Sequence, residues 1–224
     1  MHKSKYIRIL LSVLILGLLG ITGIYAYLTD ADTAENKVTI GGNNIEIVEE
    51  FNPPSELKPG VSFTKNVKVS NEGPVDCFVR IKAVFSDSDM EKYSIVDWNV
   101  YDEETNPDGD WIYHEEDGYY YYPDILYAPI ISDGEVKEED GKIVVTTPLF
   151  ENITIKTYYD ANGNGVQDEG EAIDATVLKN FDILVYAESY QAYNASSDYE
   201  SDAQGNFKNY EDAWAHFHRN NPNK

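Results

Sequence analysis

The 224-residue chain carries 17 Lys and Arg against 40 Asp and Glu, a formal net charge of −23. So acidic a surface repels nucleic acid and anionic lipid, which excludes both as partners, and favours divalent cations and cationic surfaces. With 42% hydrophobic and 13% aromatic residues it is too apolar for a disordered acidic tail, so the chain folds.

Lys3, Lys5 and Arg8 open the chain, and residues 9–24 form an uncharged, almost purely apolar run. Gly20, Thr22 and Gly23 then lead to Ala26, the order of basic, apolar and small-residue regions found in a secretory signal. The expectation is a signal peptide over residues 1–26, cut between Ala26 and Tyr27. The competing reading is a retained anchor, because residues 9–28 just reach the ~20 residues that a spanning helix needs. Either way the bulk of the chain leaves the cytosol, for the extracellular matrix or the cell surface. Without residues 1–26, the 17 basic side chains less three leave 14 against 40 acidic ones, a net charge of −26. Cys77 is the single cysteine, so an internal disulfide is impossible. For an exported chain this points to a bacterial source and to Cys77 as a buried apolar side chain on a strand.

The rest alternates in the period-2 pattern of strands, interrupted by Gly, Pro, Asn and Asp. Val38 and Ile40, then Ile45 and Ile47, flank Gly41-Gly42 and predict strand, turn and strand. Leu57-Lys58-Pro59-Gly60 and Asn71-Glu72-Gly73-Pro74 are turns on either side of alternating Phe63, Val67 and Val69. Cys77, Val79, Ile81 and Ala83 face one way, with Phe78, Arg80 and Lys82 on an opposite, wet face. Further strands are expected over residues 95–101, 111–114, 119–122, 125–131, 143–150, 153–159, 172–178 and 181–190. Glu115-Glu116-Asp117-Gly118 is a hairpin turn. The tyrosines 119–122 fit a half-buried strand whose phenols reach water better than a carbohydrate platform. Asn209 as N-cap, Glu211 and Asp212 in a first turn, and His216, His218 and Arg219 in a last turn predict one C-terminal helix. The fold class is all-β: a jelly-roll-like antiparallel β-sandwich with inserted loops and a short C-terminal helix, one domain over residues 43–224.

Residues 160–171 place Asp160, Asn162, Asn164, Asp168 and Glu171 at positions 1, 3, 5, 9 and 12. The Val166 carbonyl stands at position 7 and Gly165 at position 6. That spacing wraps oxygens around a hard cation, so these six residues are a candidate structural Ca²⁺ site. The alternative is an acidic, Gly-rich surface hairpin. No His-Glu-x-x-His, Gly-x-Ser-x-Gly or phosphate loop occurs in the sequence. His216 and His218 would point over 100° apart on a helix and lack a clear third ligand, so the chain is expected not to be an enzyme.

Several stretches resemble TasA/camelysin-type proteins. They are Ala26-Tyr27-Leu28-Thr29-Asp30, residues 36–42 (Asn-Lys-Val-Thr-Ile-Gly-Gly), residues 52–60 and residues 63–73. Leu28 stands where the family pattern has a second aromatic. Residues 110–113, 118–122 and 185–192 look like the clostridial, BsaA-type branch of biofilm matrix proteins. The resemblance implies a jelly roll released by a SipW-type signal peptidase. It implies a homopolymeric fibre in a Gram-positive matrix, alongside other matrix components, in which residues 27–42 insert as a donor strand into the next subunit. The physics suits this: an open sheet edge is a template for another strand, and a non-closing head-to-tail contact makes a filament. The alternatives are a cell-surface adhesin or carbohydrate-binding module and, less favoured, a secreted camelysin-like peptidase.

Overall fold

A computed structural model describes residues 37–38, 43–132, 135–137 and 141–222. The expected signal, its cleavage pair Ala26–Tyr27 and most of the segment 27–42 lie outside the described residues. Among the described residues, no helix is long and apolar enough to cross a membrane.

Eleven strands form: β1 (Lys37–Val38), β2 (Ile45–Asn52), β3 (Ser62–Asn71), β4 (Cys77–Phe85), β5 (Ser94–Val96), β6 (Ile112–His114), β7 (Tyr119–Tyr121), β8 (Ile130–Ser132), β9 (Glu135–Lys137), β10 (Phe150–Ile155) and β11 (Ile183–Gln191). One sheet runs β1-β11-β4-β7-β6, the other β2-β3-β10-β5, and β8-β9 is a separate hairpin. The chain changes sheet between β3 and β4, again before β5 and again before β6. Such switching builds a two-sheet, all-β sandwich of the jelly-roll kind.

The alternation read from the sequence explains the interior. Val67 and Val69 of β3, Ile45 of β2 and Ile153 of β10 face Cys77, Val79 and Ile81 of β4 and Ile183, Val185 and Ala187 of β11. Trp111 and Leu149, neither in a strand, close this core with no exposed surface. The Trp111 Nε1 donates to the Thr147 carbonyl at 3.2 Å, so the indole is buried without an orphaned donor. Cys77 is likewise fully buried, and burial pushes its thiol up to about 12, which makes it chemically inert.

Four expectations need correction. The face of β4 bearing Phe78 and Arg80 is not wet: they are 1% and 3% exposed. The C-terminal helix α2 (Tyr210–Asn220) lies over it through Trp214 and Phe217. Residues 37–38 do not pair with β2 across Gly41-Gly42; β1 runs parallel to β11 in the other sheet, with Lys37 opposite Ala187 and Val38 opposite Glu188. Residues 172–178 hold no strand but a short 3-10 turn (Ala175–Val177), capped by the Asp174 carboxylate accepting from Thr176 N–H. Finally, Asp87 accepts from the N–H groups of Asp89 and Met90 and starts a six-residue helix, α1 (Ser88–Tyr93), that hydrophobic periodicity does not reveal.

Under α2, Arg80 is the hub of a polar network. Its Nε and Nη2 donate to Glu188 Oε2 at 2.8 and 2.6 Å. Its Nη1 donates to the Tyr121 hydroxyl at 2.8 Å and reaches Asp117 Oδ2 at 3.3 Å and His218 Nε2 at 3.1 Å. The guanidinium stacks 4.0 Å from the Tyr119 ring centroid and 4.3 Å from that of Trp214. Its charge is thereby met on every side, the condition for burying an arginine.

Candidate functional site

The loop carrying the calcium-like spacing grows from a hairpin base. Tyr158 and Ala172 bridge, Tyr159 N–H donates to the Glu171 carbonyl at 2.9 Å, and Ile173 N–H donates to the Thr157 carbonyl at 3.0 Å. Strand-like flanks thus replace the helices that usually bracket a twelve-residue calcium loop, as the sequence indicated. Within it, Asp160 Oδ1 accepts from Gly163 N–H at 2.6 Å and Asn164 N–H at 3.1 Å, and Oδ2 accepts from Gly165 N–H at 2.7 Å. These backbone donors, Gly165 first, hold the Asp160 carboxyl below its ordinary 3.8. Gly163 and Gly165 adopt φ of 71° and 76°, which lets the chain curl around that carboxylate. The side-chain amides of Asn162 and Asn164 donate to Asp168 Oδ2 at 2.7 and 2.9 Å. Glu171 accepts from Ala161 N–H at 3.0 Å and from Asp168 N–H at 2.9 Å. Asp160, Asn162, Asn164, Asp168 and Glu171 are therefore gathered into one hydrogen-bonded turn, whereas the Val166 side chain points to solvent at 61% exposure. Among the described residues, no three His, Cys, Asp or Glu side chains converge as a metal-ligating group, and the loop carboxylates are spaced by its amides.

The histidines of the described residues are each committed elsewhere. His114 Nε2 meets the Tyr210 hydroxyl at 3.2 Å and its Nδ1 faces Glu116 at 3.3 Å. His216 Nδ1 meets the Tyr190 hydroxyl at 2.8 Å. His218 Nε2 faces the Arg80 guanidinium, which can only donate, so this nitrogen accepts. The pair His216 and His218 at the helix end thus serves packing and hydrogen bonding. Of the tyrosine run, Tyr121 and Tyr122 are 3% and 4% exposed and Tyr119 and Tyr120 are half-buried, so the strand offers no flat aromatic platform.

The sheet edge at β11 is a different kind of site. β11 is nine residues long and pairs along its whole length with β4, from Ile183 opposite Phe85 to Gln191 opposite Cys77. On its other side only Ala187 and Glu188 have strand partners among the described residues, those of β1. Among the described residues, no other strand pairs with the rest of that edge. The outer edge of the other sheet, β2, carries Glu46 and Glu50 among its exposed side chains, and charges of this kind blunt an edge. The sequence pattern located the strands; only the sheet order shows which of them lie at an edge.

Residues 2–108 match the sequence model of a family described as camelysin metallo-endopeptidase, a match that includes β1 to β5 and ends before the acidic loop. No curated protein matches the chain. The family description implies a catalytic metal, and the histidines of the described residues do not gather as ligands for one. The only histidine within 2–108 is His2, beside Lys3 at the start of the sequence, and no His-Glu-x-x-His occurs anywhere. Beyond residue 108, the imidazoles His114, His216 and His218 have three different hydrogen-bond partners, one of them a cation. The match covers just under half of the chain, and over residues 2–108, which include the first strands of both sheets, the protein is similar to the camelysin family.

Proposed function

We propose that the protein is an exported, non-enzymatic structural subunit of extracellular fibres, in which residues 27–42 of one copy complete a sheet of the next. The observation that carries this reading is the outer edge of β11, occupied at two residues of nine by the parallel strand β1. A longer donor segment from another copy would satisfy the rest of that edge by main-chain hydrogen bonds. A segment passed from each copy to the β11 edge of the next makes a head-to-tail contact, and such a contact, where it does not close, propagates as a filament. The acidic surface keeps finished fibres apart at low ionic strength and offers bridging sites to divalent cations.

Electron microscopy of the purified protein tests this. Filaments are expected from protein beginning at Tyr27, and dispersed particles from protein lacking residues 27–42. Equal filaments from both would sink the donor-strand idea. N-terminal sequencing of the exported form is expected to start at Tyr27, released by a signal peptidase of the SipW type; a retained residue 1–26 segment would show an anchor instead.

The loop 160–171 is proposed as a structural Ca²⁺ site, with Asp160, Asn162, Asn164, Asp168, Glu171 and the Val166 carbonyl as ligands. The supporting observation is that the five side chains already share one turn. A cation would replace the mutual hydrogen bonds of these oxygens, and binding would be weak, ~10⁻⁴–10⁻³ M, the range of extracellular modules. For the peptidase implied by the family's description, casein hydrolysis with and without a chelator is the check. No chelator-sensitive cleavage is expected.

A further inference from the structure

Lys65 lies on the inward face of β3 and is 8% exposed. Its Nζ contacts the Glu49 carboxylate of the neighbouring strand β2. One wall of the site is aromatic: Nζ stands 4.9 Å from the Phe51 ring centroid. Phe51 packs on Phe63, Phe63 on Phe181 and Phe181 on Phe85. β2 also touches β11, and Asp182, the residue before β11, acts electrostatically on the Lys65 ammonium. Among the hydrogen bonds of the described residues, that ammonium has Glu49 as its partner and no other.

An ammonium and a carboxylate drawn out of water lose hydration that one contact does not return. Proton transfer from lysine to glutamate gives an uncharged amine beside an uncharged carboxylic acid, which suits an apolar wall. Burial pushes Lys65 down to about 8, with Asp182 opposing, so an uncharged amine is accessible near neutral pH. An amine held against a carboxyl group reacts as though at enormous concentration, with effective molarities up to ~10⁵–10⁸ M for well-aligned groups.

We propose that Lys65 and Glu49 form an intramolecular amide bond that covalently joins β2 to β3. Nζ attacks Cδ of the protonated Glu49, forming the C–N bond. The proton shed by the nitrogen passes to the Glu49 hydroxyl, which leaves as water when the C–O bond breaks. One water is lost, nothing is oxidised or reduced, and no co-reactant is needed. The bond closes the hairpin that bears the edge strand β2, which has a neighbour on one side only. It holds that edge against peeling, and it stands whether or not the chain forms fibres.

The test is peptide mass spectrometry on the whole protein, held folded for several days, then denatured and cut after glutamate. Glu56 lies between the two residues, so unlinked chains give separate peptides. The expected result is a branched peptide containing both Glu49 and Lys65, lighter by one water than its two parts together. Lys65→Arg is expected to give only linear peptides at full mass. Separate, full-mass peptides from the unaltered chain would overturn the proposal and leave an ordinary ion pair.

Discussion

Replacing Arg80 by methionine keeps the length and much of the apolar stem of the side chain while deleting its charge. The structure says what would be left behind. Glu188, 18% exposed at its side chain, loses both of its guanidinium hydrogen bonds, and Asp117, 28% exposed, keeps only Tyr121 as a close side-chain partner. Breaking a buried ion pair by removing one partner costs ~3–5 kcal/mol. Both carboxylates retain some water, which places the expected loss near the lower end, and the stacking on Tyr119 and Trp214 adds ~1 kcal/mol. A loss of ~3–4 kcal/mol would lower the melting temperature of a domain this size by ~6–16 °C. Urea unfolding followed by tryptophan fluorescence reads it directly, since Trp214 lies on the guanidinium. The double change Arg80→Met with Glu188→Leu removes the stranded carboxylate and is expected to recover most of the stability. A loss below ~1 kcal/mol in the single variant, or a double variant no more stable than the single, would refute the reasoning. The second outcome would assign the cost to packing rather than to unmet charge.

Gly109→Ala would place a Cβ 2.3–2.4 Å from backbone atoms of Val100 and Tyr101, so a loss of ~1–3 kcal/mol is expected by urea unfolding. Gly141→Ala is the control: nothing lies within 4 Å there, and the strain of its positive φ, ~1 kcal/mol, is all it should cost. Millimolar Ca²⁺ is expected to raise the melting temperature of the unaltered protein and not that of an Asp160→Ala, Glu171→Ala double variant; an equal rise in both would remove the site. The Asp160 carboxyl is held below 3.8 by backbone N–H groups, so its contribution is complete above that pH and is lost as pH falls through the lower, folded value. The amide resonances of Gly163, Asn164 and Gly165 should therefore titrate together with a midpoint under 3.8, and a midpoint above it would contradict the hydrogen bonds described.

Strands were legible where side chains alternate and both flanks carry turn residues. β3, β4 and β11 follow the pattern of Val67 and Val69, of Val79 and Ile81, and of Val185 and Ala187, and the hairpin at Gly118 follows its turn sequence. The pattern failed where side chains, rather than a neighbouring strand, satisfy the backbone. The strand expected over residues 95–101 stops at Val96. Instead Asn106 Nδ2 donates to the Val100 carbonyl, and Asp102 Oδ1 accepts from the N–H groups of Glu104 and Thr105, which coils the chain into a loop. Residues 143–149 do bond to β3 through the backbone at Val144, Thr146 and Leu149, but Thr146 Oγ1 takes the Val69 N–H, which breaks the ladder short of a regular strand. The helix α2 was legible from its cap and its charges, but its landing place was not. An arginine in an alternating strand looks solvated until Glu188, Asp117 and Tyr121 are seen to converge on it. The spacing of Asp160, Asn162, Asn164, Asp168 and Glu171 did announce a single turn. That β1 meets only two residues of the β11 edge among the described residues depends on sheet order and had no signal in the local sequence.

The central claim, that one copy lends residues 27–42 to the β11 edge of another, is tested most directly by mixed cysteine cross-linking in a Cys77→Ser background. One protein carries Val38→Cys and the other Glu188→Cys, positions paired in the parallel ladder of β1 and β11. On mixing and mild oxidation, disulfide-linked pairs containing one copy of each are expected, and they should be found within the filaments. If the mixture does not link while a single chain bearing both cysteines closes readily on itself, β1 belongs to its own subunit and the fibre account fails.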